Sequence, residues 1–238
     1  MRKCVIGLVL FLSVTSLFAQ TVNVVDLLNA FDANKVGAEA KYGASPVTVK
    51  GVIKAIGFDM LGNPYVAITE TGGDMEFISA QFVFQKTEIG KLIGLAKGNE
   101  ITLKGKFDSY IMSSIIFKGS SIIQYTASFE TIKFQRTIDA VSLYALYQTN
   151  AVGADATFRG KEVVIKGLVV DIDKDIISKA PYIKLSGNGS EYVPIGVRCL
   201  FPKGESVVSK IEKGSTVTVI GTIGSYLIDI ELNNCKLQ

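Results

Sequence analysis

Histidine and tryptophan are both absent from the 238 residues of this chain. Without histidine the chain lacks the commonest general base and the commonest metal ligand. No nucleophile–base pair, phosphate-cradling glycine loop or metal-ligating cluster takes its place, so no catalytic centre, metal or cofactor is expected. Cysteine is scarce, at three residues, and none forms a Cys-x-x-Cys pair. Net charge is small, with 25 Lys and Arg against 22 Asp and Glu. Long polar tracts are missing too, and a chain that is 48% hydrophobic reads as ordered, compact units.

The opening of the chain holds a long apolar run. Arg2 and Lys3 precede apolar residues 5–18, and the small Ala19 follows. That is the pattern of a secretory leader, and the run is too short for a spanning helix. Residues 1–19 are therefore expected to be removed near Ala19–Gln20, leaving a protein in the periplasm or outside the cell with no membrane span. Cys4 precedes the run instead of ending it, so a lipid anchor is not expected. Losing Arg2 and Lys3 leaves 23 cationic residues against 22 acidic ones. A phosphate-backbone binder usually shows a strongly basic face, and bulk charge supplies none.

What the chain does have is a repeat. Asn34-Lys35-Val36-Gly37-Ala38-Glu39-Ala40-Lys41-Tyr42 returns as Asn150-Ala151-Val152-Gly153-Ala154-Asp155-Ala156-Thr157-Phe158, an offset of 116 (150 − 34). Val49-Lys50-Gly51-Val52 matches Ile165-Lys166-Gly167-Leu168, Pro64-Tyr65-Val66 matches Pro181-Tyr182-Ile183, and Ser109-Tyr110 matches Ser225-Tyr226. So long a register means a duplicated domain and not a short-period solenoid. The boundaries expected are 20–123 and 137–238, joined by a linker over 124–136.

Each copy reads alike. A leading helix is expected after Asn23, with Asp26 in its first turn, and again after Thr137, with Asp139 in its first turn. The shared small-residue motif follows, read as a packing joint in preference to a binding loop. A long strand alternates through 47–58 and through 163–173, each with an interior glycine (Gly51, Gly167) of the kind that marks a bulge or barrel bend. Second strands follow at 65–69 and 182–185. Turns at Gly72-Gly73-Asp74 and Asn188-Gly189 then lead to third strands. A short helix stops at Gly98 or Gly214. Fourth strands at 101–107 and 217–223, and fifth strands at 115–123 and 227–232, close each copy. Three strands, a short helix and two strands is the order of the OB fold, a small five-stranded barrel. The fold class expected is mainly β with short helices: two tandem OB barrels, each with a leading helix.

The leading helix, the Asn-x-x-x-Ala-[Asp/Glu]-Ala-x-[Tyr/Phe] segment, the Val-x-x-Lys-Gly strand and the Lys-Gly before strand four together resemble the tRNA_anti-like family. The resemblance covers most of residues 23–238, as two tandem copies. It implies bacterial OB-fold proteins, often exported and often lipoproteins. The lipoprotein signal is the feature this chain does not share. Nucleic-acid binding is implied only by kinship to anticodon-binding barrels.

Candidate site residues follow from where OB barrels bind ligands: the face of strands two and three, and the loops joining strands one-two and four-five. Tyr65 and Tyr182 start strand two, and Tyr110 and Tyr226 are expected in the four-five loop. Lys54, Lys184 and Arg198 are basic neighbours. These tyrosines serve either as stacking platforms or as barrel core. Asp171, Asp173 and Asp175 alternate in the one-two loop but lack the glycine and glutamate of a calcium loop, and read as solvated. Cys199 and Cys235 lie on strands three and five, which are neighbours in an OB barrel. Phe82 and Ser121 stand opposite them in the first copy. Export permits a disulfide between them, closing a loop of about 37 residues worth roughly 3–4 kcal/mol. The function expected is a non-catalytic binding module whose partner is an envelope protein or a glycan. The alternative is a single-stranded nucleic-acid binder, which the small net charge disfavours.

Overall fold

The computed structural model describes residues 21–126, 132–192 and 195–238. The expected leader lies outside the described residues, as does part of the expected linker. Barrel 1 is built from β2 (Val47–Phe58), β3 (Pro64–Thr69), β4 (Ser79–Val83), β5 (Glu100–Ile111) and β6 (Ser114–Tyr125), with β1 (Thr21–Asn23) added at one edge. The sheet runs β1-β2-β3-β4-β6-β5 and closes through β2 against β5. Barrel 2 repeats it with β7 (Thr137–Asp139), β8 (Glu162–Lys174), β9 (Pro181–Ser186), β10 (Gly196–Leu200), β11 (Thr216–Tyr226) and β12 (Ile230–Leu237), closed by β11 against β8. The chain is two OB barrels in tandem, each with its own buried apolar core.

Both copies open with a pair of helices, where the sequence reading has one. Helices α1 (Val24–Ala33) and α2 (Lys35–Tyr42) meet at Asn34, and α4 (Ala140–Thr149) and α5 (Ala151–Phe158) meet at Asn150. The shared motif is thus itself a helix, and its asparagine ends one helix and caps the next. Asn34 and Asn150 adopt nearly the same extended backbone, with φ −159° and −156°. Each side-chain oxygen accepts from the glycine amide three residues on, at 3.0 Å from Gly37 and 2.8 Å from Gly153.

Four local expectations are corrected. The cap of α4 is Asp139, whose Oδ1 accepts from Ser142 N at 2.8 Å, while Thr137 belongs to the short strand β7, paired parallel to β8. Asn23 caps α1 in the same place, so the repeat offset marks Asp139 directly. The fifth strand of barrel 2 begins at Ile230, because 227–229 form the hairpin turn. β8 continues to Lys174, so Asp171 and Asp173 lie in a strand and only Asp175 in the loop. Of the bulge or barrel bend expected at the strand-one glycines, the bulge is not there, and both glycines are sites of close approach. A Cβ on Gly51 would stand 2.8 Å from Val24, and one on Gly167 2.9 Å from Ala140. Each leading helix therefore sets its first residue onto the sheet. The bulge falls further on, between Ile53 and Ala55 and between Val169 and Asp171.

The helix between strands three and four is short in both copies. It is a 3₁₀ turn (Lys86–Glu88) followed by α3 (Ile89–Leu92) in barrel 1, and a 3₁₀ turn alone (Ser206–Lys210) in barrel 2.

The expected Cys199–Cys235 bridge is not formed in the structure. Both are free, fully buried thiols standing side by side. Burial pushes the Cys199 thiol well above its ordinary range, with Cys235 beside it adding to the effect. Cys235 occupies the place of Ser120, not Ser121, because the four-five hairpin of barrel 2 is one residue shorter: Tyr226 pairs with Ile230 where Tyr110 pairs with Ile115. The Cys235 thiol donates to the Leu232 carbonyl three residues back at 3.1 Å, as the Ser120 hydroxyl does to Phe117 at 3.4 Å. The thiol fills a hydroxyl's structural role.

The barrels are joined by the α4–α5 elbow. The Asn150 side chain is fully buried, and its Nδ2 donates to the carbonyls of Leu92 (2.8 Å), Ile93 (3.1 Å) and Leu95 (2.8 Å) at the end of α3. Val152, next in line, packs in the core of barrel 1.

Candidate binding face of the second barrel

Alternation along β9 and β10 decides what faces outward. Ile183 and Leu185, with Val197 and Cys199, are fully buried inside the barrel. Tyr182, Lys184 and Arg198 therefore point to the outer face. Pairing registers then line up Asp171, Lys184, Arg198 and Glu231 as one row across β8, β9, β10 and β12.

The row is wired together. Arg198 donates to Asp175 Oδ2 at 2.9 Å and reaches Glu231 at 3.6 Å. Its guanidinium lies 4.3 Å from the centre of the Tyr182 ring, covering one face of it. The Tyr182 hydroxyl donates to Asp171 at 3.1 Å. Lys184 pairs with Asp229 at 2.7 Å, and Asp229 also accepts from Gly196 N at 2.9 Å. The Ser178 hydroxyl and amide, helped by Arg198, hold the Asp175 carboxyl well below its usual range. A depressed carboxylate keeps its interactions above its ordinary pKa and loses them only as the pH falls through the lowered value. Asp175 therefore keeps its charge, and its hold on Arg198, through ordinary acid pH. Burial, then Asp171, pushes the Tyr182 phenol up. Two cations, Lys184 and Arg198, stand among Asp171, Asp173, Asp175, Asp229 and Glu231, so the face is net negative. The aspartates at 171, 173 and 175 point to separate partners, and among the described residues no carboxylate cluster is placed to hold a metal ion.

Loops rim this face with apolar side chains. In the one-two loop, Asp175 Oδ1 accepts from Ile177 N and Ser178 N, and Ile176 and Ile177 stand 83% and 92% exposed. In the four-five hairpin, Leu227 and Ile228 are 76% and 72% exposed, and Tyr192 is exposed in the two-three loop. Barrel 1 carries the same device at an offset of 116: Asp59 Oδ1 accepts from Leu61 N and Asn63 N and turns Met60 and Leu61 outward. Ile111 and Met112 are the counterparts of Leu227 and Ile228. The sequence reading missed these pairs. Their signal was the repeat itself, which places apolar pairs at turn positions no core can reach.

The remaining candidates separate. Ala55, Ala67, Gln81 and Ile116 form the corresponding row in barrel 1, uncharged and flat. Tyr65 lies over Gly57, where a Cβ would meet its hydroxyl at 3.2 Å. Barrel 2 approaches this side, and Tyr65, Gln148 and Tyr226 line a cleft of ≈ 250 Å³ between the barrels. Tyr226 packs on Tyr147 at 4.8 Å between ring centres, as Tyr110 does on Phe31 at 5.8 Å, so both four-five tyrosines seat the leading helix on its barrel. Lys35 covers Tyr110 at 4.4 Å. Tyr226 accepts from Gln148 Nε2 at 2.9 Å, and its phenol is pushed up to about 12 by burial and by Tyr144 and Tyr65 nearby. Lys54 donates to the Glu76 carbonyl, away from the face of barrel 2. Of the nominated residues, Tyr182, Lys184 and Arg198 form one surface, Tyr65 and Tyr226 meet at the joint, and Tyr110 is structural.

Comparison with solved structures finds distant likenesses. A lipoprotein from Klebsiella pneumoniae whose name proposes nucleic-acid binding has 20% identity and a TM-score of 0.34, covering 43% of this chain and 92% of its own. A deletion mutant of the single-stranded DNA binding protein from Thermus aquaticus has 14% identity and a TM-score of 0.26, covering 83% and 95%. Replication protein A bound to single-stranded DNA has 8% identity and a TM-score of 0.26, covering 81% and 49%. Scores this low assign no ligand. Among curated proteins no match is found. The model of the tRNA_anti-like family matches residues 12–122 and again 123–237. The chain belongs to the tRNA_anti-like family, as two tandem copies of its OB-fold domain.

Proposed function

We propose that this chain is an exported, non-catalytic binding module that takes a polypeptide partner on the outer face of barrel 2. The observation that carries this reading is the pairing of a charged row whose cations are both committed to carboxylates with exposed aliphatic loop tips. A phosphodiester backbone needs Lys and Arg free to release counterions, whereas Lys184 and Arg198 are both committed to carboxylates. A saccharide favours an open aromatic platform, whereas the Tyr182 ring already carries a guanidinium on one side. Ile176, Ile177, Leu227 and Ile228 offer what a polypeptide side chain buries: apolar contact around an oriented polar row. Export is supported by the basic–apolar–small pattern of residues 1–19. The partner under this reading is an envelope protein.

Selection from a random-peptide library displayed on phage tests this. Enriched peptides are expected to carry apolar residues flanked by basic ones, matching the net negative face. Their binding should fall by about tenfold or more in a variant with Ile177→Asp and Ile228→Asp. Both side chains are exposed, so thermal stability should hold within about 0.5 kcal/mol. Peptides that bind the variant as well as the parent would contradict the assignment of this face.

A further inference from the structure

We infer that the α1–α2 elbow of barrel 1 is the plug of a second joint, made with barrel 2 of another copy of this chain. The joint inside the chain supplies the template. Its plug is Asn150, Val152 and Gly153, and its socket is the end of α3, where Leu92, Ile93 and Leu95 present carbonyls to the Asn150 amide. A Cβ on Gly153 would stand 3.0 Å from the Ile93 carbonyl oxygen, so the two backbones touch closely.

Each half of that joint occurs once more, unpaired. The elbow of barrel 1 keeps Asn34, Val36 and Gly37, and the same cap geometry. Yet Val36 is 79% exposed where Val152 is fully buried, and the Asn34 amide nitrogen has no partner among the described residues. The socket recurs in barrel 2 at an offset of 116. Ile211 N donates to Val208 O at 3.2 Å as Leu95 N does to Leu92 O at 3.1 Å. Gly214 N donates to Val169 O at 2.8 Å as Gly98 N does to Ile53 O at 2.8 Å. The turn that closes the socket is thus built twice, after α3 in barrel 1 and after the 3₁₀ turn Ser206–Lys210 in barrel 2, and only the first receives an asparagine amide among the described residues.

Side chains around the unpaired halves differ in an informative way. Ile93, Gly94 and Ala96 of the used socket become Ser209, Lys210 and Glu212, and Ala151 of the used plug becomes Lys35. Asp32 and Glu39 on the elbow, and Lys210, Glu212 and Lys213 at the socket, form no ion pair among the described residues. Both surfaces carry charges of both signs, so they can meet by opposite charges where the internal joint meets by apolar contact. Plug and socket are different surfaces, so the contact is heterologous and runs head to tail. Without a tether and with a polar rim it should be weak and salt-sensitive.

Sedimentation velocity on the purified chain tests it. The weight-average sedimentation coefficient should rise with concentration between about 10 µM and 1 mM at low salt, and less so at about 0.5 M salt. Val36→Asp should weaken the association by about tenfold or more. Lys210→Gly with Glu212→Ala, which restores the apolar rim, should strengthen it and remove most of the salt dependence. A monomer at every concentration in both the parent and the rim variant overturns the inference and leaves the elbow to a different protein. Association that Val36→Asp leaves unchanged also overturns it.

Discussion

Replacing Asn150 by alanine should destabilise the chain by roughly 3 kcal/mol or more, against about 1 kcal/mol for the same change at Asn34. The two asparagines share sequence context, backbone conformation and capping bond, so a cap-only account gives them equal effects. They differ in burial. Removing the Asn150 amide strands the carbonyls of Ile93 and Leu95 at the joint and the amide of Gly153 within the elbow, while the Leu92 carbonyl keeps only its bond from Leu95 N. Each buried polar group left unpaired costs about 1–3 kcal/mol, and water entering an opened joint recovers part of it. Asn34 is exposed, and only its cap to Gly37 is lost. Urea unfolding of the two variants measures the difference. Native-state hydrogen exchange should show the Asn150 variant opening first at Lys97, whose amide donates to Thr149 across the joint. Equal losses in the two variants would mean that the joint does not depend on Asn150.

Gly196→Ala should be the most damaging single methyl group in barrel 2. A Cβ there would stand 2.0 Å from the Leu185 carbonyl oxygen and 2.5 Å from Gly187 N, both backbone atoms that cannot swing aside. The strand must move, and β9 and β10 lose the register that sets Lys184 opposite Arg198. Overpacking of this kind costs typically 1–3 kcal/mol and more where backbone is displaced, so a loss of about 3 kcal/mol or above is expected. The Gly196 amide also anchors Asp229, the partner of Lys184, so the face is disturbed along with the fold. Gly204→Ala serves as the control: its Cβ meets nothing, and the cost there is the strain of φ +84° alone. Calorimetry should show barrel 2 melting earlier in the Gly196 variant, with barrel 1 little changed. Unchanged melting would show that β9 and β10 are spaced more widely than described.

Much of this was legible in the sequence, for reasons that can be located. Period-two alternation through Ile183 and Leu185 fixes Tyr182 and Lys184 on the outer face, whatever the details of the barrel. The duplication supplies strand order twice over, and two readings of one fold check each other. What failed was local. Thr137 looks as good a cap as Asp139 until the offset from Asn23 is applied. Ser121 looks like the counterpart of Cys235 until the four-five hairpin is seen to be shorter by one residue, and only backbone pairing reveals Ser120 in that place. The strand-one glycines read as a bulge or a barrel bend, and their contact with the leading helix is what the pattern does not show. Other features were out of reach in principle. Asn34 and Asn150 read identically, and which one is buried depends on the helix end at Leu92–Leu95 that happens to lie beside it. Tyr65 and Tyr182 likewise share a motif, and their environments diverge because one barrel face meets its neighbour and the other stays open.

The most direct test of a polypeptide-binding, charge-paired face is fluorescence anisotropy with a mixed-sequence single-stranded oligonucleotide at physiological salt. Two committed cations and a net negative row predict no saturable binding tighter than about 10⁻⁴ M, the weak end of non-specific nucleic-acid affinity. Stacking on exposed rings adds roughly 1–3 kcal/mol per base only where backbone charge is also met. Micromolar binding that falls steeply with salt and is lost on joint Tyr65→Ala and Tyr182→Ala substitution would contradict the account and make the chain a nucleic-acid binder.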